Sequence, residues 1–264
     1  MSFSKVVQEV FDENDYAQMY APTYAPTYAP TYEDDSEQES IYEEPTPSTK
    51  NIKDISLNIP GVTLFYGMTC SGKSVLMKHL LYQHHSKFHQ IFVFQGCQTT
   101  DWDCMDRNHV YLINENCENM LQIIIDSTKS LVKKNQHTLI IFDDPFNGET
   151  KFHQSKIWNK LSTMSRHALI SIWMSVQHPG LIPPVLKSNV ASYFITKVTE
   201  RNIAKIYEYA YGFKTKAEFT EYVSINTNSD NQVFYNNIRD VYNNKPYSIV
   251  TVSYPAPKFK IRMV

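Results

Sequence analysis

The stretch Val62 to Ser74, VTLFYGMTCSGKS, constrains this chain more than any other. An apolar, β-branched and aromatic run, Val62 to Tyr66, leads into Gly67-Met68-Thr69-Cys70-Ser71-Gly72-Lys73-Ser74. Val75 to His85 follows with Val75, Leu76, His79 and Leu80 on one side, a helical spacing. Strand, Gly-x4-Gly-Lys-Ser, then helix is the context a phosphate-binding loop requires. Gly67 and Gly72 are expected to let the backbone curl, so that successive N–H groups face phosphate oxygens. The helix adds its positive N-terminal end. Lys73 then reaches the β- and γ-phosphates, and the Ser74 hydroxyl serves Mg²⁺.

The rest of the body alternates strands with helices. Strands are expected at Asp54 to Ile59, His89 to Phe94, Val110 to Ile113, Thr138 to Phe142, Ala168 to Val176, Ser192 to Thr196 and Tyr247 to Ser253. Helices are expected at Cys117 to Lys134, Phe152 to Arg166, Glu200 to Tyr211 and Ala217 to Val223, with a loop over Gly96 to Asn108. Thr138 to Phe142 is a continuous apolar run, as in a strand buried on both faces of a parallel sheet. The pattern predicts a three-layer α/β domain with a mainly parallel central sheet.

In such a sheet ligands sit at the carboxyl ends of the strands. Asp143 and Asp144 end one strand and Gln177 ends another. An acid closing an apolar strand suits Mg²⁺ held through water, with Asp144 beside it to activate the attacking water. Gln177 is placed to hydrogen-bond the terminal phosphate or that water. Phosphoryl transfer also uses an arginine, and Arg166 stands just before the strand that Gln177 closes. That is the opposite edge from its own nucleotide, so Arg166 is expected to serve a neighbouring subunit.

Residues 1–50 do not read as part of the fold. They contain three Tyr-Ala-Pro-Thr copies from Tyr20 to Thr31 and an acidic stretch from Glu33 to Glu44. Proline at every fourth position blocks helix, and nothing apolar recurs to build a core, so disorder with a polyproline-like bias is expected. This tail carries 11 Asp/Glu against Lys5 and Lys50, a balance of −9 that leaves +7 on residues 51–264. A basic body behind an acidic tail suits a polyanionic partner. No run approaches the ~20 apolar residues of a membrane span, and the first residues lack the apolar core of a signal peptide. Cys70, Cys97, Cys104 and Cys117 show no Cys-x2-Cys spacing, which favours a reducing compartment over zinc or disulfides.

Together GMTCSGKS, LIIFDD and SRHALISIWMSVQHPGLIPPVLKSNVASYFI resemble the DNA-packaging ATPases of large eukaryotic DNA viruses, the poxvirus-like branch of the FtsK-HerA superfamily. The third block carries the branch assignment through Arg166-His167, Ile170-Ser171, Gln177, Pro183-Pro184 and Asn189. KPYSIVTVS and a basic end with Lys258, Lys260 and Arg262 complete a resemblance over roughly residues 55–260. It implies Mg-ATP, translocation of double-stranded DNA into a capsid by a homo-oligomeric ring, and an intracellular setting, the host cytoplasm or the virion. The tail is a possible capsid-protein contact. Ser165 replaces the glycine usual before Arg-His, Lys187 stands where arginine is common, and Asp144 stands where the superfamily often has Glu. On the motifs alone, a nucleoside or nucleotide kinase and a nucleotide-gated capsid-binding adaptor stay open.

Overall fold

The computed structural model describes residues 48–96, 102, 110–113, 118–146, 150–209, 212–229, 232–237 and 247–252. The expectations for the acidic repeat tail before residue 48, for most of the loop between Gly96 and Asn108, and for the basic end lie outside the described residues.

The strands are β1 (Ser48–Asn51), β2 (Val62–Tyr66), β3 (Gln90–Gln95), β4 (Val110–Ile113), β5 (Thr138–Asp143), β6 (Ile170–Val176), β7 (Val190–Ile195), β8 (Gln232–Asn237) and β9 (Tyr247–Thr251). They form one sheet in the order β1-β9-β8-β7-β2-β6-β5-β3-β4. β8 pairs antiparallel with both neighbours, and every other pairing is parallel. The helices are α1 (Lys73–His84), α2 (Glu118–Val132), α3 (Thr150–His153), α4 (Ile157–Met164), α5 (Pro184–Lys187), α6 (Glu200–Ile206) and α7 (Lys216–Asn226).

Side chains along a strand point alternately to its two faces, so the central strands feed two cores. Leu64, Phe92, Ile140, Phe142, Ile172 and Met174 pack on one face, with Leu121 and Ile125 of α2, Trp158 and Leu161 of α4, Ile203 of α6 and Phe219 of α7. Phe65, Ile91, Val93, Leu139, Ile141, Trp173 and Phe194 pack on the other, with Leu76, Met77, Leu80 and Leu81 of α1. This is the expected three-layer arrangement, with β2 and β5 buried along their whole length.

Four local readings are corrected. Asp54 to Ile59 is not a strand: the Asn51 side chain accepts from the Lys53 N–H, Asp54 reaches back to the Asn51 N–H, and the pair closes a short 3₁₀ turn, Ile52–Asp54. The helix expected from Phe152 to Arg166 is divided at Ser155, whose hydroxyl accepts from the Ile157 N–H and starts α4 afresh. The strand expected from Ala168 begins at Ile170, because Leu169 takes a left-handed φ of 52° and the Ile170 N–H returns to the Ser165 carbonyl. The sheet starts at Ser48, so a boundary at residue 50 runs through its first strand.

Candidate functional site

Four adjacent parallel strands, β7, β2, β6 and β5, end together, and the predicted chemistry sits on those ends. Tyr66 lies opposite Val176 of β6 and Ile195 of β7, and Asp143 lies opposite Ser175. The loop from Gly67 therefore rises between the ends of β6 and β7, with Asp143 one strand further along.

The two loop glycines do different work. Gly72 has a left-handed φ of 87° and is the N-cap of α1, the conformational role expected. Gly67 has no such angle, and its need is for space: a Cβ there would run into Thr196 Oγ1 and Ser71 Oγ. Its N–H donates to the Val176 carbonyl, the Met68 N–H to the Lys197 carbonyl and the Ser71 N–H to the Met68 carbonyl. Those three amides are thus committed to holding the loop, which narrows the expected phosphate-facing N–H groups to the others. Among the described residues the Thr69, Cys70, Gly72, Lys73 and Ser74 amides make no backbone hydrogen bond. Cys70 is exposed with its thiol free and takes a φ of 60° at the crest of the loop.

Lys73 is buried, and its ammonium donates to the Gly67 and Met68 carbonyls at 3.0 Å each. Asp144 Oδ2 lies 3.8 Å from the same nitrogen. Ser74 Oγ donates to both Asp143 carboxylate oxygens, at 3.1 and 3.0 Å. Ser175 Oγ donates to Asp143 Oδ1 at 2.8 Å and accepts from the Asp144 N–H at 2.9 Å, and the Trp102 indole donates to Asp143 Oδ2 at 3.3 Å. Burial pushes the Asp143 carboxyl above its usual range; the hydrogen bonds from Ser175, Ser74 and Trp102 oppose this, and the nearby Asp144 charge adds to it. Among the described residues no lysine or arginine forms an ion pair with Asp143. A buried carboxylate answered only by hydroxyl and indole donors, beside a serine hydroxyl, fits a hard divalent cation that keeps several of its waters.

Asp144 follows β5 with a φ of 47°, a conformation that costs energy for a residue with a side chain and gathers at functional sites. Gly96 permits it: its N–H donates to the Asp143 carbonyl at 2.9 Å, and a Cβ there would collide with the Asp144 carbonyl. Gln177 joins the loop to the acid, since the Thr69 hydroxyl donates to its Oε1 at 3.0 Å and its Nε2 donates to Asp144 Oδ2 at 3.1 Å. Lys73, Ser74, Asp143, Asp144 and Gln177 thus stand together. Arg166 does not join them. It is exposed before the start of β6, about 20 Å of strand from Gln177 at the other end.

The sequence profile of the Poxvirus A32 protein family matches residues 56–250. The chain belongs to that family. Protein 075L of Invertebrate iridescent virus 6 is 28% identical over 148 residues, covering 53% of this chain and 56% of 075L, so the chain spans about half the length of that relative. Among solved structures, the genome packaging NTPase B204 of Sulfolobus turreted icosahedral virus 2, in complex with ATP-gammaS, superposes with a TM-score of 0.53 at 18% identity, over 74% of this chain and 99% of B204. The pCW3 conjugation coupling protein TcpA with ATPgS reaches 0.51 at 17% identity, over 78% of this chain and 62% of TcpA. The cytoplasmic domain of the Thermomonospora curvata Type VII secretion ATPase EccC reaches 0.51 at 12%, over 73% of this chain and 25% of EccC. At these identities the likeness is one of fold, and it agrees with the P-loop architecture expected from the motifs.

Sequence reasoning missed several residues of this A32-family site. Ser175 was legible in principle, as a small polar residue breaking an apolar strand beside its end. Trp102 and Gly96 carried no signal, because no periodic pattern in the sequence around them points to Asp143 or Asp144. Thr196 looked like the end of a buried strand.

Proposed function

We propose that this chain is an ATP-driven motor that translocates double-stranded DNA in packaging a viral genome. The observation that carries the reading is the convergence of Lys73, Ser74, Asp143, Asp144 and Gln177 on adjoining strand ends. Family membership and the fold shared with B204 and TcpA support it.

The uncommitted amides from Thr69 to Ser74 and the N-terminus of α1 receive the phosphates. Lys73 exchanges its loop carbonyls for the β- and γ-phosphate oxygens. Ser74 and Asp143 would hold Mg²⁺, which would supply charge neutralisation and polarisation of the terminal phosphoryl group. Asp144 accepts a proton from the attacking water, whose oxygen bonds the γ-phosphorus as the bond to the β–γ bridging oxygen breaks. Gln177 holds one Asp144 oxygen, leaving Oδ1 for the water. Arg166, outside its own site, serves the next subunit of a homo-oligomeric ring. Residues 51–264, with a balance of +7, supply the DNA contacts, and the Tyr-Ala-Pro-Thr tail is offered to a capsid protein in the host cytoplasm or the virion.

The test is ATP turnover by the full chain with and without double-stranded DNA, across a salt series. The expected result is turnover that DNA stimulates, with DNA affinity falling at least ~10³-fold between ~50 and ~200 mM salt if six or more phosphates are contacted. Turnover indifferent to DNA, with affinity flat across that range, contradicts a DNA motor.

A further inference from the structure

Thr196 has no place in the motifs, yet its side chain is built into the phosphate loop from outside it. It follows β7 directly and is 2% exposed. Its backbone N–H and its hydroxyl both donate to the Tyr66 carbonyl, at 2.8 and 2.9 Å. With its own proton committed there, Thr196 Oγ1 is left as an acceptor, so the Ser71 hydroxyl 2.7 Å away is the donor of that pair. The next residue repeats the attachment through the main chain, its carbonyl accepting from the Met68 N–H at 2.9 Å. Two points of the loop, Met68 and Ser71, are thereby tied to the end of β7. The missing Cβ of Gly67 is the space in which the Thr196 and Ser71 hydroxyls meet.

We propose that Thr196 is a positioning residue for nucleotide binding: through Ser71 it holds the loop in the curled form that leaves the Thr69, Cys70, Gly72, Lys73 and Ser74 amides for phosphate. The proposal rests on the nucleotide reading of the site. It also assigns the first loop glycine a reason, room for this hydroxyl pair. The loop is pinned on its other side by Gln177, which bonds Thr69, so the two attachments bracket the crest at Cys70. A loop held on one side only samples conformations that do not present its amides, and affinity falls by the fraction of time so spent.

The test compares Thr196→Val, which keeps the branched shape and loses the hydroxyl, with Thr196→Ser, which keeps the hydroxyl. ADP and a non-hydrolysable ATP analogue are titrated with Mg²⁺ into each full-length protein, and thermal midpoint and steady-state kinetics are measured alongside. Thr196→Val leaves the half-buried Ser71 donor without its protein acceptor and weakens nucleotide binding about tenfold, with KM rising and kcat nearly kept. Thr196→Ser binds within about twofold of the wild type, because Ser71 keeps its acceptor. Adding Ser71→Ala to Thr196→Val causes little further loss, since both remove the same bond. Unchanged affinity in Thr196→Val, with or without a lower midpoint, overturns the positioning role and leaves Thr196 purely structural. Fully additive losses in the double variant also overturn it. Wild-type protein that binds neither nucleotide overturns the nucleotide reading itself, and this role with it.

Discussion

Asp143 is the residue at which stability and chemistry oppose each other most plainly. Its carboxyl is 3% exposed, receives hydrogen bonds from Ser74, Ser175 and Trp102, and is held above its usual range chiefly by burial. A raised carboxylate pKa means that the folded chain resists the charge. Between the unfolded and folded values the folded chain holds more proton, so this group's contribution to stability declines as pH rises through that window. The charged form that a cation requires is formed at a cost that the bound cation would offset. Asp143→Asn removes the charge and keeps one acceptor oxygen, for Ser175 and Ser74, while its amide nitrogen cannot accept from the Trp102 indole. With the buried charge gone, it is expected to raise the thermal midpoint of the cation-free protein and to abolish Mg²⁺-dependent turnover. Calorimetry without Mg²⁺ checks the first part; a lower midpoint with turnover intact would show that Asp143 is a structural acceptor and no metal ligand.

Among the elements, β1 is the one whose contribution is least evident from its residues. Ser48 to Asn51 carries no apolar side chain, yet it pairs in parallel with β9 at the edge of the sheet and leads into Ile52 and Ile55, both buried. A chain starting at Glu44 is expected to keep the thermal midpoint of the full chain, because β1 remains whole. A chain starting at Ile55 loses the edge pairing and the burial of Ile52, and its midpoint falls by about 4–8 °C for a loss of roughly 2 kcal/mol. Equal midpoints for all three would remove β1 from the stability of the sheet. The same contrast explains what could be read from the sequence. β2, β5 and β6 are buried along their length and largely apolar, and that continuity, with Gly-x4-Gly-Lys-Ser and the paired acids, located Lys73, Ser74, Asp143, Asp144 and Gln177. β1 joins the sheet by backbone pairing with a strand about 200 residues away, which no local pattern encodes, and β8 is one short apolar run, Val233 to Tyr235, between polar residues. Trp102 and Gly96 reach the site by loop geometry, and Thr196 by the register of β7 against β2. These are tertiary facts, and one strand's periodicity does not contain them.

For the whole molecule, the separation of Arg166 from the other site residues becomes informative. The exposed guanidinium lies at the amino end of β6, and the phosphate loop lies beyond the carboxyl ends. One chain therefore does not bring Arg166 to its own site, whereas head-to-tail packing in a closed ring would bring that edge to a neighbour. Arg166→Ala is expected to bind ATP normally and to hydrolyse it about 10³-fold more slowly, if the arginine acts in trans. Mixed with Lys73→Ala subunits it should recover part of the activity, because some interfaces then pair an intact loop with an intact arginine. No recovery at any ratio, in mixed rings confirmed by mass, assigns the arginine elsewhere, and Arg201 at the start of α6 becomes the residue to change. Beneath the ring, the DNA and the capsid lies one claim, that the cluster around Gly67 to Ser74 is a nucleotide-hydrolysing site. It is tested most directly by steady-state ATP turnover of Lys73→Ala against the wild-type chain at saturating Mg²⁺, with far-ultraviolet circular dichroism to verify the fold. A loss of at least ~10²-fold in the folded variant is predicted; turnover equal to wild type in that same folded protein would contradict the claim.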